Sequence, residues 1–267
     1  MRSFVFKFLV IFNLTLSLCL AGDFKPKFFA IENGVRFGGI ENEVKTLKEL
    51  GYDGVSQIKQ DKNVLAKIEA YKKAGLKVLS IYLNVNDKAL SKEIMKPFAD
   101  QGGMIELTVR KMSDKTVTAI RETVEAAAQM NIKVALYPHH GFSIATIPQS
   151  LDLIKKVKHP NLGVIFNLCH FLKGEKVEDL ESTLTNAAPY LFAVSTSGAD
   201  EKGKSWGDFI KTLDQGNFSQ KRFFKKLKEL KFSGPVSLQC YAVKGDKKTN
   251  LQNSIQAWKE IIKDIQD

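Results

Sequence analysis

Residues 133–170 read KVALYPHHGFSIATIPQSLDLIKKVKHPNLGVIFNLCH. The apolar run KVALY predicts a strand, IPQSLDLIKKV a helix with proline tolerated in its first turn, and LGVIFNL a second strand. A strand, a helix and another strand in so short a stretch imply two parallel strands joined by a crossover.

The same alternation extends in both directions. Toward the N-terminus, FFAIE (28–32), DGVSQI (53–58), KVLSIYLNV (77–85) and MIELTV (104–109) read as strands. VKTLKEL, VLAKIEAYKKAG and ALSKEIMKPFADQG read as the helices between them, with Gly51 and Gly75 as stops and a break at Pro97. A long helix follows a cap at Ser113 or Asp114, with Val117, Ile120, Val124 and Met130 on one side. Toward the C-terminus come VEDLESTLTNA, the strand LFAVSTS (191–197), a long connection (198–218), the helix SQKRFFKKLKEL, the strand PVSLQCYAV (235–243) and a closing helix. Eight such units in 267 residues predict a single-domain (β/α)8 TIM barrel over 22–267. A doubly wound open sheet is the alternative, but no GxGxxG follows the first strand.

The first 21 residues predict a secretory signal peptide. Arg2 and Lys7 precede an apolar run from Phe8 to Leu20, and Ala21 supplies a cleavage site. The run is short for an integral membrane span. The reading makes the protein exported, periplasmic or released. Cys19 raises lipidation, against which Leu18 stands where a lipobox wants a small residue. Cys169 and Cys240 remain after the leader, as a disulfide or as two packed thiols. The formal charge of +11 falls by two without Arg2 and Lys7. Its lysines are scattered along helices as a solvated face, which argues against a nucleic-acid partner.

A barrel of this kind carries its site at the C-terminal ends of its strands. The predicted ends hold Glu32 and Asn33; Gln57; Asn84 and Asn86; Arg110 and Lys111; Tyr137, His139 and His140; Asn167, Cys169 and His170; Ser195, Thr196, Ser197 and Asp200; Gln239 and Tyr241. Such a ring of donors, acceptors and aromatics suits a carbohydrate. Asn84 and Asn86 read as turn residues. Alternation sends one of His139 and His140 inward and the other away. His170 is placed in a loop, and His159, before a proline, is structural.

LKELGYDGV, VALYPHHGF, LGVIFNLCHFL and PVSLQCY together resemble the strand ends of the xylose isomerase-like TIM barrels, the sugar isomerase and epimerase superfamily. The resemblance implies a divalent cation held by Glu, Asp, His and Glu at the ends of the fifth to eighth strands. The matching positions here are Tyr137, Asn167, Ser195 (Thr196 or Ser197 if the register slips) and Gln239. Three carboxylates are replaced by neutral groups, and hard cations rely on carboxylate oxygens. The expectation is therefore no cofactor, with Mn, Mg or Zn retained as an alternative for a degenerate site that still binds. His139 and His170, at family-like histidine positions, are then the expected catalytic pair and the only groups in the mouth titrating near neutrality. Tyr137, His140, Asn167, Ser195, Gln239 and Tyr241 are the expected sugar contacts. Two functions follow: an isomerase or epimerase moving a proton next to a carbonyl, or a non-catalytic carbohydrate-binding barrel.

Overall fold

The computed structural model describes residues 23–266; the signal-peptide reading of residues 1–21 and Cys19 lie outside them. The strands are β1 (Phe28–Ile31), β2 (Gly54–Ser56), β3 (Lys77–Val78), β4 (Ser80–Asn84), β5 (Met104–Thr108), β6 (Lys133–Leu136), β7 (Leu162–Asn167), β8 (Leu191–Thr196) and β9 (Val236–Leu238). The helices are α1 (Ile40–Leu50), α2 (Val64–Lys73), α3 (Lys92–Met95), α4 (Thr116–Ala128), α5 (Ile147–Val157), α6 (Leu168–Gly174), α7 (Leu180–Ala187), α8 (Trp206–Phe209), α9 (Gln220–Glu229) and α10 (Lys247–Asp264).

All strand pairs are parallel, in the order β3-β2-β1-β9-β8-β7-β6-β5-β4. The ring closes through a parallel bridge between Ile58, just past β2, and Ile81 of β4. The expected third strand is thus two short ones, interrupted at Leu79. Its N–H bonds to Val55 O and its carbonyl accepts from Met104 N, so the ladder passes through the break. Counted around the barrel, eight positions remain, and the (β/α)8 reading holds.

Local sequence explains the elements. Thr146 and Gln149 cap α5 reciprocally, and Ile147, Leu151 and Ile154 bury one face of it. Gly51 ends α1 in a left-handed conformation, φ 87°, with its N–H on Leu47 O and Lys48 O. The predicted cap of α4 lies slightly early, since the residue before its first turn is Lys115. Strand alternation divides the apolar residues into two sets. Phe29, Leu79, Met104, Ala135, Tyr137, Ile165 and Ala193 pack inside the barrel, while the much larger set faces the helices.

Gln266 Nε2 donates to Phe24 O at 2.5 Å, which ties the last turn of the chain to the entry of β1. Cys169 and Cys240 are both free thiols. Among the described residues no helix is long and apolar enough to cross a membrane.

Candidate functional site

The segment after β6 builds the site. Tyr137 continues the ladder through its N–H to Leu107 O, at 2.9 Å, and places its ring inside the barrel. His139 follows two residues later on the same side, half-buried and stacked on Phe142 with ring centres 4.1 Å apart. Arg110 lies over the other ring of that stack, 4.9 Å from the centre of Phe142.

His170 reaches the same place from β7. It does not lie in a loop: Asn167 caps α6, and His170 sits in its first turn, 6% exposed. The rings of His139 and His170 have centres 4.1 Å apart. Tyr137 meets His170 edge-on at 5.6 Å, and Trp206 does so at 5.1 Å. The side chain of His140 is exposed and stands edge-on to Trp206.

The backbone of His140 links the two imidazoles. Its carbonyl lies 2.9 Å from His139 Nδ1 and can only accept, so that nitrogen carries the proton and Nε2 is left with a lone pair. Its N–H donates to His170 Nδ1 at 3.2 Å, so His170 in its neutral form carries the proton on Nε2. Burial lowers the pKa of His139, and lowers His170 to about 3, because desolvation disfavours the cation. The geometry therefore supplies one imidazole acceptor and one imidazole donor, both uncharged at neutral pH.

Sequence reasoning missed a carboxyl. Glu106, in the middle of β5, is 2% exposed inside the barrel. It accepts from Ser80 Oγ and from Gln57 Nε2, both at 2.5 Å. Gln57 holds a left-handed φ of 53° at the end of β2, unusual for a non-glycine residue. Burial raises Glu106 to about 7, against the effect of its two donors. His139 and His170 are consequently not the sole groups near neutrality; His170 leaves that range and Glu106 enters it.

The positions expected for a cation do not fit one. Asn167 turns its Nδ2 toward the Tyr137 hydroxyl as a donor, while its oxygen caps α6 and accepts from Cys169 Sγ at 3.1 Å. Burial holds the Tyr137 phenol well above its usual range, so it stays neutral. Gln239 Oε1 accepts from Asn33 Nδ2 and from the N–H groups of Cys240 and Tyr241, at 2.8, 3.0 and 3.0 Å. Ser195 stands beside Asn167 in the β7–β8 register, its hydroxyl buried and without a partner. Thr196 and Ser197 bond instead to Gln220 and to Phe209 O, which fixes Ser195 as the inward residue. Two carbonyl oxygens are committed and one amide offers hydrogens, a poor donor set for a hard cation. Among the described residues no group of three His, Cys, Asp or Glu is placed to hold a metal ion.

The expected contacts thus separate. Tyr137, His139, Asn167 and His170 form one cluster, with Ser195 alongside and His140 at its edge. Gln239 belongs to a second polar group with Asn33, and Tyr241 is 58% exposed. Glu32 turns away from the axis to pair with Lys67 of α2. Asn84 accepts from Arg110 N at 3.3 Å, as a turn residue does. His159 Nδ1 accepts from Asn161 N at 3.1 Å. Trp206 lies in the SWGDF stretch of a connection that reads only as a link; its aromatic was the available signal.

Residues 108–261 match the family described as xylose isomerase-like TIM barrel. The chain belongs to that family. Solved structures of similar fold include an L-ribulose 3-epimerase, with a TM-score of 0.72 and 12% identity over 91% of this chain and 96% of that one. An apo 3-keto-D-glucoside 4-epimerase from E. coli matches at 0.67 and 16% identity, over 88% and 98%. The IOLI protein with a bound zinc atom matches at 0.70 and 15%, over 89% and 98%. At these identities the likeness establishes the fold. No curated protein sequence matches the chain.

Proposed function

We propose that this xylose isomerase-like barrel acts on a sugar or keto-sugar by proton transfer next to a carbonyl, as an isomerase or epimerase whose cation site is degenerate. The observation that carries the reading is the pair of tautomers set by the His140 peptide. His139 Nε2 is the base that takes the proton from the carbon beside the carbonyl. The C–H electron pair moves into the new C=C bond of an enediolate, and the carbonyl π pair moves onto oxygen. His170 Nε2–H donates to that oxygen as its charge develops; neutral imidazole is suited to this task. Delivery of that proton by His139 to the neighbouring carbon gives an isomer; an epimer forms when water protonates the opposite face of the same carbon and His139 passes its proton to solvent. Tyr137, Trp206 and Phe142 supply aromatic walls. The sugar-epimerase names of the structural neighbours support the substrate class. The basic start and apolar run of residues 1–21 support an exported protein.

A second reading, a carbohydrate-binding barrel without chemistry, is favoured by the Tyr137–Asn167 hydrogen bond, which engages two groups at the centre of the mouth. Deuterium incorporation from solvent into a panel of keto-sugars separates the two. Exchange is expected with metal-free protein, falling about 10²–10⁴-fold in His139→Gln. Exchange that survives both His139→Gln and His170→Gln would show that the assigned roles are wrong, and binding without any exchange would leave the binding barrel.

A further inference from the structure

Strand alternation aims a cation into the mouth. Along β5, Ile105 and Leu107 face the helices, as does Val109 just beyond, while Met104 and Glu106 face the barrel interior. Arg110 continues the inward series. Its backbone is fixed on both sides. The N–H donates to Asn84 Oδ1 at 3.3 Å, and the carbonyl accepts from Ser143 N and Oγ at 3.2 and 3.1 Å. The turn that carries His139 is stitched to the same place. Ile144 N donates to Val109 O at 3.3 Å, His139 N to Ile144 O at 3.0 Å and Phe142 N to His139 O at 2.9 Å. Main-chain bonds thus set Arg110, Phe142 and His139 against one another.

The guanidinium itself is exposed and free. It rests over Phe142, which stacks on His139, and among the described residues no carboxylate or other oxygen accepts from it. Other cations are engaged. Arg222 pairs with Glu181, Arg121 donates to Val157 O and Lys156 O, and Lys173, over Phe209, donates to Lys204 O. Glu106, on the same face of β5, lies about 13 Å deeper at ~3.3 Å per residue and takes its hydrogens from Ser80 and Gln57. A guanidinium over an aromatic face keeps its in-plane N–H groups for another partner. Burial dominates the pKa values of Tyr82 and His139, but the charge of Arg110 pulls both down, so it bears on the mouth. The histidines and the Tyr137 phenol are neutral there, which leaves Arg110 as the positive charge beside them. A neutral sugar offers this fork only hydroxyl oxygens, whereas a carboxylate matches it with two ionised ones. A phosphate monoester carries about −1.5 to −2 at neutral pH, more than one guanidinium balances.

We propose that Arg110 is the specificity-determining residue of the mouth, and that the sugar bound there is an acid whose carboxylate accepts from its guanidinium. The inference rests on the reading of the histidine cluster as a sugar site and names the class of sugar. The test is imidazole NMR on the full chain labelled at His. D-glucuronate, D-galacturonate and 2-keto-D-gluconate are titrated beside D-glucose, D-galactose, D-fructose and D-fructose 6-phosphate. A saturable shift of the His139 signals is expected with at least one acid, at a Kd about 10–100-fold below that of its neutral counterpart. Arg110→Gln should abolish this preference and leave the neutral sugars unaffected; Arg110→Lys, which keeps the charge without the fork, should retain part of it. Acids that bind no better than neutral sugars overturn the inference, as does tighter binding of the phosphate, or an Arg110→Gln variant that weakens both classes equally. The two readings fail separately. Neutral sugars that bind and exchange deuterium without any preference for acids reject Arg110 alone. An acid that binds through Arg110 but exchanges nothing sustains the inference and rejects the chemistry assigned to the histidines. Silence with every ligand rejects both.

Discussion

Two regions of the molecule bury glutamates, and they solve the problem differently. In the wall between β1, α1 and α2, Glu32 pairs with Lys67 and accepts from Lys59 N at 3.1 Å, with Glu43 Oε2 4.0 Å from the same ammonium. Burial raises Glu43, while Lys67 opposes the rise. Inside the barrel, Glu106 accepts from two neutral donors and pairs with no cation among the described residues, so desolvation dominates and lifts it to about 7. Hydrogen bonds satisfy the oxygens, but they do not replace an opposite charge. The barrel interior therefore sheds charge near neutrality, whereas the wall carries a counter-ion. His170 obeys the same rule with the sign reversed, since burial strips the proton from a base.

The largest expected effect falls on the wall. Lys67→Met leaves Glu32 and Glu43 without their cation and should cost about 3–5 kcal/mol in urea unfolding. Lys67→Met with Glu32→Gln should recover part of that loss; if the single variant is as stable as wild type, the contrast between the regions fails. The interior comes next. Folding raises Glu106 from 4.5 to about 7, so the folded state binds the extra proton between those values. Its contribution is fully present below 4.5 and is lost as pH rises through 7, about 3 kcal/mol in all. Glu106→Gln should remove that slope from a pH series of unfolding curves. For His170, folding lowers the pKa from 6.5 to about 3, and the unfolded chain binds the proton first. The contribution of His170 should therefore fall by about 2 kcal/mol as pH drops from 6.5 to 5, opposing the gain at Glu106 over the same interval, and His170→Gln should uncover that gain. An imidazole signal of His170 that titrates near 6.5 would contradict the burial argument. The smallest effect is that of Thr212→Val, which removes a buried hydroxyl that has no hydrogen-bond partner and should stay within about 0.5 kcal/mol of wild type.

The barrel was legible because apolar runs alternate with amphipathic segments, a pattern visible in KVALY, IPQSLDLIKKV and LGVIFNL without any long-range information. The break at Leu79 was not, since KVLSIYLNV is apolar throughout and its two halves differ only in which strand each pairs with. LCHFLKG is too short a helix to declare itself, so His170 read as a loop residue. Glu106 did leave a trace, as the one charge in MIELTV at an inward position. What the sequence could not reveal is orientation. Whether Asn167 offers oxygen or nitrogen to the axis, and whether Gln239 faces the mouth or its own backbone, depends on donors that arrive from elsewhere in the fold.

The bond from Gln266 to Phe24 brings both ends of the described chain to the entry side of β1, opposite the strand ends that hold the histidines. A resin, a sensor chip or a fused partner joined at either residue would therefore sit behind the barrel, and the immobilised protein would present its open face to the sample.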